Sequence, residues 1–206
     1  MPDLSLVNPY DSFDELYKYW LRAEKAKAPF RAVLLSTRSP GLDGRITGFV
    51  FANLEELNDM TGNSCWMFTA APRNSDFARA GVYKEISYSV GRLLGIEPQQ
   101  FPCIVFFDNL IRPKQTVVVS LAAVLSVEPD DAEILGFFRT LSSLLHKTAT
   151  VPAEKRLPAF YKAVTSKWKQ TKSSPIGFVE IVEITLSISE IAKNILTSLN
   201  ILGIKP

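Results

Sequence analysis

Apolar positions change their spacing repeatedly along this chain, and each change marks an element. Phe13, Leu16, Tyr17, Trp20 and Leu21 recur three to four residues apart, while Arg22, Glu24, Lys25 and Lys27 fill the opposite side. That is the 3.6-residue period of an amphipathic helix. Ser12 and Glu15 have the spacing of a capping box at its start. The period then gives way to unbroken apolar runs, in which Arg31–Ser36, Cys65–Thr69, Phe101–Asp108 and Gln115–Leu121 read as buried strands. Leu4–Val7 reads as a short edge strand, broken by Asn8-Pro9. Helical spacing returns over Phe51–Met60, closed by Thr61-Gly62-Asn63, and over Val82–Leu94, with Ile86, Val90, Leu93 and Leu94 inward and Gly95 as its stop. It is strongest over Asp130–Lys147, where Ile134, Leu135, Phe137, Phe138, Leu141, Leu144 and Leu145 form the inner face. Ser39-Pro40-Gly41-Leu42-Asp43-Gly44 has the composition of a loop.

The order is therefore strand, helix, strand, helix, strand, helix, strand, strand, helix. This order, the helix and strand of Ser12–Ser36, and the run from Gly91-Arg92-Leu93-Leu94-Gly95-Ile96 to Phe101-Pro102-Cys103-Ile104-Val105-Phe106-Phe107 resemble the thioredoxin-like superfamily. In that family a helix ends in a tight turn and a cis-proline opens the next strand. Pro102 stands in the matching place. The resemblance implies an α/β fold with a mixed sheet flanked by helices over residues 1–148. Residues 149–206 are then a mainly helical C-terminal extension, because Leu4–Lys147 already reads as a complete sheet with both faces covered.

Redox members of that superfamily carry two cysteines at Cys-x-x-Cys spacing, opening the helix after the strand matched here by Arg31–Ser36. A helix start lowers the pKa of the first thiol and makes it nucleophilic. The matching place in this chain is Pro40-Gly41-Leu42-Asp43, and no cysteine lies between Arg38 and Ser64. The resemblance is thus to a redox-inactive member. Cys65 and Cys103 fall on strands that the fold separates, too far apart to bridge, and buried structural thiols are their expected fate. Cys103 is the better single-thiol candidate because it flanks the loop that faces a ligand.

The remaining chemistry-bearing residues have plain structural readings. His146 is the sole histidine and sits near a helix C-terminus, where the dipole favours a cation. Asp130-Asp131 reads as an N-cap. Gly41, Gly44 and Gly48 do not have dinucleotide-binding spacing, and no phosphate-binding loop is present.

Composition adds bounds. Of 206 residues, 47% are hydrophobic and 21% charged, enough for a real core, and the net charge of +2 is too small for nucleic-acid binding by bulk charge. Two cysteines and no signal-like N-terminus point to the cytoplasm or another reducing intracellular compartment. Charge is local instead: Ala153–Lys172 holds Lys155, Arg156, Lys162, Lys167, Lys169 and Lys172 against Glu154, with Phe160, Tyr161, Val164 and Trp168 at helical spacing. Packing of that aromatic stripe on the domain, with wet lysines outside, is the favoured reading. Lys172–Pro175 reads as a linker, and Phe178–Leu186 fits strand or helix equally. A last helix carries Ile191, Ile195, Leu196, Leu199 and Leu202 as a stripe to be covered by the domain, a second copy or a partner.

The expected function is a non-catalytic protein-binding or scaffold module with no cofactor and no metal. By resemblance, its groove is formed by the backbone of Phe101, with Pro102 and Cys103, facing Thr37, Arg38, Pro40, Gly41 and Asp43, and it holds an extended peptide by strand addition. A protein partner or self-association ranks ahead of a membrane surface and of nucleic acid. The alternatives are a single-thiol oxidoreductase using Cys103 and a membrane-surface or effector-like protein acting through the C-terminal extension.

Overall fold

The computed structural model describes residues 7–10, 13–37, 39–70, 80–110, 115–169 and 179–183. The elements are β1 (Val7–Tyr10), α1 (Phe13–Lys25), β2 (Phe30–Leu35), α2 (Leu42–Ala52), α3 (Leu54–Thr61), β3 (Cys65–Ala70), α4 (Ala80–Leu93), β4 (Cys103–Phe107), β5 (Gln115–Ser120), α5 (Leu121–Val124), α6 (Asp131–Ala149), α7 (Ala153–Lys169) and β6 (Val179–Glu183). The strands form one mixed sheet in the order β1-β3-β2-β4-β5-β6. β1, β3 and β2 are parallel, and β4, β5 and β6 each run antiparallel to the strand before them in the sheet. The fold is α/β.

Strand alternation sorts the core into two layers, as the two-residue period requires. Phe30, Ala32 and Leu34 of β2, Cys65 and Met67 of β3, and Ile104 and Phe106 of β4 face the layer covered by α2, α3, α6 and α7. Val33 and Leu35, Trp66 and Phe68, and Cys103, Val105 and Phe107 face α1 and α4. Both faces of the central strands are buried, which is why their sequences read as unbroken apolar runs. The Phe101–Pro102 peptide bond is cis, as expected for the start of β4.

Several expectations are corrected. Asn8-Pro9 does not break a strand but lies inside β1. β1 bonds only to β3, and a proline that lacks an amide fits such an edge. Leu21 faces solvent at 42% exposure rather than the core. The single helix expected over Phe51–Met60 is two helices, and α2 begins at Leu42, inside the segment that reads as a loop. Phe178–Leu186 contains a strand, β6.

The division at 148/149 is not a break in packing. Leu157, Phe160 and Val164 of α7 are buried in the same layer as α6, and Phe160 sits between Phe30 and Phe106 with ring centroids 5.2 and 4.6 Å away. Arg156 fastens the start of α7 to the strand, donating from Nη1 to the Pro29 carbonyl (2.9 Å) and from Nε to the Val151 carbonyl (3.2 Å). β6 extends the sheet beyond β5. The first part of the extension therefore completes the core, as the favoured reading of its aromatic stripe has it, and Leu4–Lys147 is not complete alone. Ser12 of the capping box, Arg38, the linker and the stripe Ile191, Ile195, Leu196, Leu199 and Leu202 lie outside the described residues.

Candidate functional site

β2 and β4 are antiparallel neighbours, and Leu35 at the end of β2 pairs with Cys103 at the start of β4. Ser36 and Thr37 continue from β2, while Phe101 and Pro102 lead into β4. The two candidate loops therefore meet at one end of the sheet, and α2 starts beside them.

Asp43 organises this end. It lies in the first turn of α2, is 7% exposed, and its carboxylate accepts from the Ser36 hydroxyl (2.5 Å), the Thr37 amide (2.7 Å) and the Thr37 hydroxyl. A buried carboxylate is tolerated when donors replace its lost hydration. Here three donors do so, and the positive end of the helix dipole adds to them. Thr47, one turn on, joins the network: its hydroxyl donates to the Asp43 carbonyl (2.8 Å) and lies 2.7 Å from Ser36 Oγ. Thr37 Oγ1 and Ser39 Oγ are 2.7 Å apart, which carries the network out to the surface.

Two glycines make the turn into α2 feasible. Gly41 caps the helix with φ +92°, a conformation that costs any other L-residue. Its carbonyl accepts from the Arg45 amide at 3.0 Å. At Gly44, a Cβ would lie 2.9 Å from the Ser39 carbonyl oxygen. The loop therefore folds back on the first turn of the helix only because position 44 has no side chain.

The expected groove residues divide by exposure. Pro40 and Gly41 are exposed, as is Ser39 between them and Thr37, whereas Thr37 and Phe101 are half-buried and Pro102, Cys103 and Asp43 are buried. Phe101 packs over α4, with its ring against Gly91 and 5.7 Å from that of Tyr88. Its amide donates to the Pro98 carbonyl (3.2 Å), and the Pro102 carbonyl accepts from the Leu121 amide (3.0 Å). Part of the Phe101 backbone expected to line the groove, its amide, is thus engaged within the chain. Ser36, Ser39 and Thr47 belong to the site and were not anticipated. The sequence signal for them is a hydroxyl-rich strand end followed by an acid between two glycines.

Neither thiol has the surroundings of a nucleophile. Cys103 is buried, and burial, with the negative charge of Asp43 adding to it, pushes its thiol up; burial alone does the same for Cys65. Both are held protonated, the opposite of an activated cysteine. They also lie on opposite faces of the sheet. Cys65 pairs with Phe30 and Cys103 with Leu35, so they stand at opposite ends of β2, roughly 16 Å apart along the strand direction. Both are free.

His146 lies in the last turn of α6, with Nδ1 2.8 Å from the Ser142 carbonyl oxygen, and Asp130 caps α6 by accepting from the Glu133 amide (2.7 Å). Among the described residues, no group of three His, Cys, Asp or Glu side chains converges to hold a metal ion, and no helix is long and apolar enough to cross a membrane. The chain matches no protein-family model, no curated protein and no solved structure.

Proposed function

We propose that this chain is a non-catalytic, thioredoxin-like protein-binding module whose recognition surface is the sheet end formed by Thr37, Ser39–Asp43 and Phe101. The observation that carries this reading is the chemistry at the start of α2. In the family that the sequence resembles, two thiols three residues apart open this helix. Here the matching segment, Pro40-Gly41-Leu42-Asp43, has no cysteine; it contains the helix cap Gly41 and is followed directly by Gly44. One has a backbone conformation that disfavours any side chain, and the other lies against the Ser39 carbonyl. The loop geometry suits glycine at 41 and 44, and Asp43, at the end of the matching segment, is a buried carboxylate anchored by three donors. An exposed Ser39-Pro40-Gly41 turn, tied to the Asp43 network through Thr37 and lying beside a half-buried aromatic, suits binding, since a preorganised surface loses little conformational freedom when a partner docks.

The single-thiol alternative is disfavoured by the buried, protonated state of Cys103. Displayed extended peptides selected on the full chain test the proposal. Binders should lose affinity for the Ser39→Arg and Pro40→Arg variants, whose new side chains project from exposed positions without touching the core. Selected peptides that bind both variants as tightly as the parent would overturn it.

A further inference from the structure

The net positive charge of the molecule resides on one helix. α7 carries five cations, Lys155, Arg156, Lys162, Lys167 and Lys169, against Glu154, for a net charge of +4. The whole chain carries +2, so the rest of the protein is negative by 2. The apolar side of this helix is sealed into the core through Leu157, Phe160 and Val164, with Tyr161 and Trp168 packed against them. Its outer side is fixed as a consequence: Lys155 and Lys162, seven residues apart, are exposed on it, and Lys167, seven residues from buried Phe160, is exposed at its flank. From the rise of an α-helix, these three span roughly 18 Å.

We propose that the outer face of α7 docks this protein peripherally on an anionic lipid surface. A bare amphipathic helix binds a bilayer by inserting its apolar side; here that side is occupied by the protein's own core, so the attachment is electrostatic. Juxtaposed lysines are suited to this, because each contributes about fivefold to partitioning onto an anionic membrane. The same face is poorly made for nucleic acid. Its aromatic rings pack toward the core, leaving none to stack on bases, and the cations exposed on it are lysines, which lack the bidentate fork of arginine. The proposal is independent of the binding surface at the sheet end, which involves none of these residues.

Co-sedimentation of the full chain with vesicles of phosphatidylcholine, alone or mixed with phosphatidylserine, tests it. The protein should partition onto the anionic vesicles only, and raising the salt to about 0.5 M should release it, as screening shortens the reach of the charges. Replacing two lysines in Lys155→Gln/Lys162→Gln should weaken partitioning by about 25-fold, with an unchanged thermal midpoint because both side chains are exposed. Lys155→Glu/Lys162→Glu should abolish it. Absence of binding to anionic vesicles, equal binding to neutral ones, or full retention by a folded double variant would overturn the proposal. So would preference for duplex DNA or RNA over the vesicles in direct competition.

Discussion

A carboxylate sealed from water must have its charge met by donors, and Asp43 has three from two adjacent residues. Replacing it with alanine strands the Ser36 and Thr37 donors in a buried site. Asp43→Ala should therefore lower stability by about 2–3 kcal/mol in urea denaturation, and Asp43→Asn, which keeps one acceptor, by less. The thiols make a second prediction at this scale. Burial raises both thiol pKa values in the folded protein, whereas in the unfolded chain they ionise near pH 8.5. Above that pH the unfolded state binds fewer protons than the folded state, so stability falls as pH rises. Each thiol should contribute about 1.4 kcal/mol of loss per pH unit there. Denaturation midpoints between about pH 9 and pH 10 should fall more steeply for the parent than for Cys65→Ala/Cys103→Ala. Parallel slopes would show that the thiols ionise equally well when folded.

Glycine has opposite meanings one turn apart in α2. At Gly44 an added Cβ meets the Ser39 carbonyl oxygen at 2.9 Å, while at Gly48 it meets nothing within 4 Å. Gly44→Ala should therefore destabilise by about 1–3 kcal/mol through a forced shift of the loop. Gly48→Ala should stabilise by about 0.5–1 kcal/mol, because it removes backbone freedom from a helix interior. Thermal melts of the two variants should move in opposite directions, and a shift of the same sign in both would be inconsistent with the packing at the start of α2. The same glycines explain why this helix was not legible in the sequence. Three of them within eight residues, preceded by a proline, outweigh the apolar pattern of Ile46, Phe49 and Val50. By contrast α1, α4 and α6 declared themselves by long apolar periods, and β2 to β5 by runs buried on both faces. The edge strand at the start was legible but not its extent, because such a strand accepts Asn8-Pro9 without losing its ladder.

At the scale of the whole molecule, α7 is part of the core and not an appendage. Phe160 is fully buried between Phe30 and Phe106, so Phe160→Ala should cost about 3–5 kcal/mol in chemical denaturation. An appended helix would show no such loss. The sequence revealed the aromatic stripe of α7 but not its destination, since an amphipathic face does not name the surface that covers it. The candidate site was legible as a place, because a strand end, a proline-led strand and the missing dithiol could be aligned with one another. Its hydroxyl network was not legible, because Ser36, Thr37 and Thr47 converge on Asp43 only after the chain folds back. The proposed role requires that this sheet end bind without redox chemistry. Insulin reduction driven by dithiothreitol tests that most directly, comparing the parent with Cys65→Ala/Cys103→Ala. Both should reduce insulin at the rate of dithiothreitol alone, since neither buried thiol can cycle. A parent rate clearly above that of the thiol-free variant would contradict the assignment.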